Sequence, residues 1–195
     1  EGADNTPAYR GTAYVVFEDL SLGQFGSRVP QFTFEVMRPA PAGQPADITG
    51  LTDLVTGVAL IPGTGEYSLA TSHIYLEPSY GEQVAINTNT PLGGTDLTVS
   101  LNALQEELPA CQSVMMVVSW FGDDLRCRSC TVRPKVEQKD VDSAAMPWRV
   151  SGVGRTAAAQ IPYQEGAPIY GGTPTDAAVA EAITDMRARG LDPVF

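Results

Sequence analysis

Positive charge is scarce in this sequence. Twelve Lys and Arg stand against 23 Asp and Glu, a formal net charge of −11 over 195 residues. A nucleic-acid-binding surface needs clustered Lys and Arg, so the charge balance argues against that class. Histidine is almost absent. His73 is the only one, with no second histidine or acid cluster beside it, and reads as a surface or packing residue, a catalytic base being the alternative. Cysteine is too sparse for a disulfide-built scaffold: Cys111, Cys127 and Cys130 are all there is, an odd count. Cys127-Arg-Ser-Cys130 is a single CxxC without the second pair that would make a zinc site. It reads as a loop disulfide or two free thiols, with a metal or cluster ligand or a redox dithiol as alternatives, and neither metal nor cofactor is expected. Long apolar runs are also missing. None approaches the length of a membrane-spanning helix, and no signal-peptide pattern opens the chain.

What is present suffices for a core: 43% of residues are hydrophobic and only 18% charged. The chain is organised around Ser113–Arg126, SVMMVVSWFGDDLR. Six of the seven residues from Val114 to Trp120 are apolar, and Gly122-Asp123-Asp124 stops the run. Such a run predicts a strand buried on both faces, as in parallel sheets covered by helices. Upstream, Leu97, Leu101, Leu104 and Leu108 fall at steps of four, three and four, one stripe of a helix that Pro109 ends. Downstream, Thr173–Arg189 predicts a second helix. Thr173 is its expected N-cap, Pro174 its first residue and Gly190 its stop. Leu191–Phe195 then begins another strand. Helix, strand, long loop, helix, strand is the grammar of an α/β fold.

The first half reads as β-rich. Tyr9–Phe17 and Gln31–Val36 carry the composition and alternation of strands. Proline-rich 39–45 reads as a linker or surface loop. A short helix is expected within Asp47–Thr56. Val58–Ile61 and Glu66–Leu69 read as strands around the turn Pro62-Gly-Thr-Gly65, followed by β-like runs at Thr71–Leu76 and Val84–Thr90. The PGTG turn lacks the lysine and following helix of a phosphate loop. The long stretch from Gly122 to Gly172 is of a kind that is functional or carries small structure of its own.

Several of these stretches carry a resemblance. PAYRGTAYVVFEDLSLGQFGSRVPQFTFEV at Pro7–Val36 is similar to a segment of the central tail-tip, or baseplate hub, proteins of long-tailed phages and gene transfer agents, large proteins sometimes called megatron. ALIPGTGEY at Ala59–Tyr67, TDLTVSLNALQEELP at Thr95–Pro109, VVSWFGDDLRCRSCTVRPKVE at Val117–Glu137, WRVSG at Trp148–Gly152 and YGGTPTDAAV at Tyr170–Val179 resemble the same family in order. The resemblance implies a tail-tip protein of the virion that closes the tail tube, organises the tip and opens during DNA delivery. Its implied partners are other tail-tip and tail-tube proteins, further copies of the hub and a host surface glycan. DNA would pass through the assembly without sequence-specific binding. The later portion in that family opens a TIM-barrel-like domain.

The expected architecture is therefore α/β with a β-rich N-terminal part. Residues 1–92 are expected to form a β-rich hub segment with the proline-rich linker near 39–45. Residues 93–195 are expected to form the first, incomplete part of a (β/α) TIM-barrel-like domain. Glu1 is no initiator methionine and the chain stops on the start of a strand, so a section of a longer polypeptide is expected. For chemistry, Asp123 and Asp124 stand where the central strand is expected to end, at the face where such barrels hold catalytic acids. Continued strand alternation would turn Asp123 inward with Val117, Ser119 and Phe121. A glycosidase needs two carboxylates across the scissile bond. Adjacent residues point apart, so a partner acid would have to come from elsewhere. The alternative is that both are loop carboxylates held by turn amides or by Arg126 and Arg128. Glu66, Asn87 and Asn89 are weaker candidates. A structural hub role leads, with a carbohydrate-cleaving barrel as the alternative and a pure glycan-binding module third.

Overall fold

The computed structural model describes residues 15–18, 32, 34, 50–63 and 65–195. The chain divides into two units, Glu1–Gln44 and Pro45–Phe195. In the first, the Phe17 ring stacks on Phe32 with centroids 4.3 Å apart, and Phe34 lies 6.1 Å from Phe32. The expected strands Tyr9–Phe17 and Gln31–Val36 and the proline-rich run at 39–45 otherwise fall outside the described residues. The expected division after residue 92 does not coincide with the boundary at 44/45. Residues on both sides of position 92 share one sheet in the second unit.

That sheet has three parallel strands: β1 (Gly57–Leu60), β2 (Ser113–Met116) and β3 (Asp192–Val194), ordered β1-β2-β3. Helix α1 (Asp96–Glu107) connects the first pair and α2 (Asp176–Ala188) the second. The molecule is thus mixed α/β, with few helices and five further ladders of two residues a strand. No closed barrel is formed among the described residues.

Register explains which face is buried. Val58 pairs with Val114 and Leu60 with Met116, while Pro193 flanks Val114 from β3. Val114 and Met116 join Leu97 and Leu101 of α1 and Ala178, Ala182 and Met186 of α2 in one core. Each large apolar side chain sealed there contributes about 1.5–3 kcal/mol. The opposite face carries Ala59, Met115 and Val194, all exposed. Met115 is 47% accessible. The expectation of a strand buried on both faces is therefore corrected: both helices cover one face and nothing described covers the other. The strand also ends at Met116 rather than Trp120. Phe121–Gly122 belongs to a separate antiparallel ladder with Val132–Arg133, so alternation from β2 does not reach Asp123.

The helix ends show the same local logic. Thr95 caps α1, its hydroxyl accepting the Thr98 amide at 3.4 Å. Helix α2 starts later than expected, with Thr175 at the N-cap. Thr173 lies outside it, its hydroxyl accepting the Lys135 amide at 3.1 Å and its own amide donating to Lys135 O at 2.8 Å. At the far end Gly190 takes φ +78. The Leu191 amide then returns to Met186 O at 2.9 Å and the Gly190 amide to Arg187 O at 3.0 Å, the hydrogen-bond pair that closes helices on a left-handed glycine.

Between β1 and α1 the expected strands shrink. Glu66–Leu69 is a turn rather than a strand, and only Tyr75–Leu76 and Val84–Ala85 form a ladder. Glu181 of α2 fastens this connection. Its Oε2 accepts the amides of Thr71 and Ser72, both at 2.9 Å, and its Oε1 accepts the Ser72 hydroxyl at 2.6 Å. Burial works against the Glu181 carboxylate, but the Ser72 and Thr71 donors outweigh it and hold its pKa below the ordinary 4.5. An acid whose pKa is depressed on folding lends stability above its unfolded pKa and loses it as pH falls through the folded value. The urea midpoint is therefore expected to drop below pH 4.5, and Glu181→Gln to lower the midpoint at neutral pH and flatten that acid limb. A variant curve parallel to the wild type at all pH values would refute this role.

Candidate functional site

The connection after β1 and the long excursion after β2 both leave the C-terminal edge of the sheet, and a buried charge network ties them together there. Glu66 and Arg155 are 5% and 4% accessible. Arg155 Nη2 donates to Glu66 Oε2 at 2.6 Å and to the Tyr67 hydroxyl at 3.0 Å, and Nη1 donates to Gln138 O at 2.8 Å. Nε lies 3.0 Å from Asp142 Oδ1, an ion-pair distance without hydrogen-bond alignment. The Tyr67 hydroxyl donates to Asp142 Oδ1 at 2.7 Å. Glu66 Oε1 accepts the Glu137 amide at 2.7 Å.

Local structure delivers each group. Gly65 adopts φ +110, a conformation that favours glycine, and leads into the turn in which the Ala70 amide donates to Tyr67 O at 3.0 Å. Arg155 follows the hairpin Arg149–Val150/Val153–Gly154, whose Ser151-Gly152 turn has positive φ at both residues. Gly172 permits the packing. A Cβ there would lie 2.8 Å from Glu66 Cγ and 3.0 Å from Lys135 O.

Burial pushes the Glu66 carboxyl above its ordinary range, against the opposing pull of Arg155. It also raises the Tyr67 hydroxyl, helped by the bond to Asp142, so the phenol stays a proton donor. Burial works against the Asp142 carboxylate, but the Trp148 amide, Tyr67 and Arg155 together lower its pKa. It also disfavours the Arg155 charge, which Glu66 and Tyr67 more than restore. Both Glu66 oxygens are occupied from within the protein, so this carboxylate clamps two connections instead of presenting itself to a substrate. A cleft of about 320 Å³ lies beside it, lined in part by Tyr67, Asn89, Glu137 and Gln138.

Asp123 and Asp124 are not part of this network. Asp123 Oδ1 accepts the Thr131 amide at 2.7 Å. Asp124 accepts the Arg126 amide at 2.8 Å, and its Oδ2 takes Arg126 Nη2 at 2.6 Å. That guanidinium holds the Asp124 carboxyl below the usual carboxylate range. Both sit in the loop of the 121–133 hairpin, and the described structure pairs neither with a second acid across a cleft. Asn87 and Asn89 are framework groups. The buried Asn87 side chain accepts the Ile74 amide at 2.9 Å and donates to Ala70 O and Ser72 O at 3.2 and 2.8 Å. Asn89 binds Asp96 at the start of α1. His73 is exposed and reaches Thr88 Oγ1 at 3.1 Å.

Arg155, Asp142 and Tyr67 were not singled out in the sequence. The one available signal was Arg155 itself, a lone cation in the run of small residues from Val153 to Ala159. Among the described residues no group of three or more His, Cys, Asp or Glu side chains is placed to hold a metal ion. No protein-family model matches the chain, and no curated protein matches it.

Proposed function

We propose that this chain is a structural section of a phage-type tail tip, belonging to a hub that closes the tail tube and takes part in host attachment and DNA delivery. The ordered resemblance of six stretches between Pro7 and Val179 supports the family. The sheet supports the finer fold, the start of a (β/α) TIM-barrel-like domain. Its strands run in sequence order, both helices cover one face, and the other face, carrying Ala59, Met115 and Val194, stands open as the inward face of an unfinished barrel would. One observation favours a structural over a catalytic role: at the edge where barrel enzymes carry their acids, the buried glutamate is locked to Arg155 and the candidate aspartates are bound within their own loop.

The second reading, a barrel acting on host glycan, draws on the stacked rings of Phe121 and Tyr170, 5.8 Å apart, which border a cleft of about 200 Å³. Aromatic faces of this kind receive sugar rings, but cleavage would need a carboxylate opposite Asp123 that the described residues do not supply.

Gold-labelled antibody raised against the chain tests the main reading on particles from producing cells. Label is expected at the tip distal to the capsid, and deletion of the coding segment is expected to leave particles without closed tips. Label confined to the capsid, or absent from particles, would overturn it.

A further inference from the structure

Residues 123–131 form a loop closed at its base by pairing of Phe121–Gly122 with Val132–Arg133. Within it the amides of Ser129 and Cys130 both donate to Arg126 O at 2.9 Å, which winds Cys127 and Cys130 into one helical turn. Both thiols are free, Cys127 exposed and Cys130 half-buried. Cys130 Sγ sits 2.7 Å from the point a Cβ on Gly122 would occupy, seated against the bare backbone of the hairpin.

We propose that Cys127 and Cys130 are a reversible dithiol–disulfide pair that exchanges with low-molecular-weight disulfides such as oxidised glutathione. Exposed Cys127 is the entry thiol and Cys130 resolves. The Cys127 thiolate attacks one sulfur of the small disulfide, forming a mixed disulfide and expelling one small thiolate. The Cys130 thiolate then attacks Cys127 Sγ, closing the protein disulfide and expelling the second. Two electrons pass from the protein to the small disulfide, and the two protons lost by the cysteines end on the two small thiols formed. Residues three apart on a helical turn hold their Cβ atoms about 5–6 Å apart, whereas a disulfide needs about 3.5–4.5 Å. Closure therefore tightens the turn and draws Cys130 away from Gly122. Exposed and strained disulfides are the labile ones, which makes the step reversible. Cys111 stands apart, its thiol donating to Ser113 O at 3.5 Å.

The test equilibrates the whole chain with oxidised and reduced glutathione at graded ratios, traps free thiols by alkylation and reads intact mass and peptide maps. Two of the three thiols are expected to disappear together, without a retained adduct. Cys130→Ser is expected to trap glutathione on Cys127, and Cys127→Ser to leave Cys130 largely unmodified. Amide exchange over residues 121–133 is expected to quicken on oxidation while α2 is unchanged. Three thiols persisting at every ratio, stable adducts on both cysteines of the wild type, or a bridge to Cys111 would overturn the pair. Unchanged exchange over 121–133 would overturn the coupling to Gly122.

Discussion

Arg155→Met is expected to cost about 3–5 kcal/mol of folding stability, because it strands Glu66 as an uncompensated buried charge. Arg155 joins five groups from two stretches: Glu66, Tyr67, Gln138 and Asp142 directly, and Glu137 through the shared Glu66 carboxylate. Its loss leaves the connection after β1 tied to the excursion after β2, within this network, only by the Tyr67–Asp142 and Glu66–Glu137 bonds. Glu66→Gln combined with Arg155→Met removes both charges and is expected to cost less than Arg155→Met alone, since the desolvation penalty then disappears with the pair. Urea unfolding followed by circular dichroism measures all three forms. A single-variant loss under about 1 kcal/mol, the range of ordinary surface changes, would show that the network does not hold these connections together.

The ends of the sheet were legible because their signals are local. The leucine stripe marked α1, the left-handed glycine marked the end of α2, and Pro109 separated α1 from β2. The errors arose where local pattern competed with distant contacts. Tyr67 and Leu69 alternate with polar Glu66 and Ser68 and so imitate strand periodicity, yet the chain there is a turn whose residues reach partners far away. Thr173 and Thr175 are equally good caps in isolation; the helix starts at Thr175, although the Lys135 backbone engages the first hydroxyl and the Arg149 backbone the second, so neither caps an α2 amide. The apolar run past Met116 looked like more strand because Val117 and Val118 are half-buried on the way to the 121–133 hairpin. The charge network was hidden for a simpler reason. Glu66 and Arg155 are 89 positions apart, and no spacing rule connects them. The aspartates drew notice because two acids after an apolar strand are conspicuous, whereas their partners, one amide and one arginine in the same loop, are what any exposed turn offers.

Trp148→Ala is expected to cost about 3–5 kcal/mol, as large-to-small changes at sealed aromatic positions do. Trp148 is 1% accessible, and it links the charge network to α2 as well as filling the core. Its amide donates to Asp142 Oδ1 at 3.0 Å, and its indole Nε1 donates to Thr173 O at 2.8 Å. The next residue continues the junction: the Arg149 amide donates to Thr175 Oγ1, and the Thr175 hydroxyl to Arg149 O, each at 3.1 Å. Trp148→Phe separates the two contributions. It keeps most of the apolar volume but leaves the Thr173 carbonyl without a donor in a buried place, a loss of about 1–3 kcal/mol. Stability read by circular dichroism should therefore fall in the order wild type, Trp148→Phe, Trp148→Ala. Amide exchange at the start of α2 should accelerate in both variants, since both leave the Thr173 carbonyl without its donor. If Trp148→Phe matches the wild type in stability and exchange, the indole bond contributes nothing to the junction.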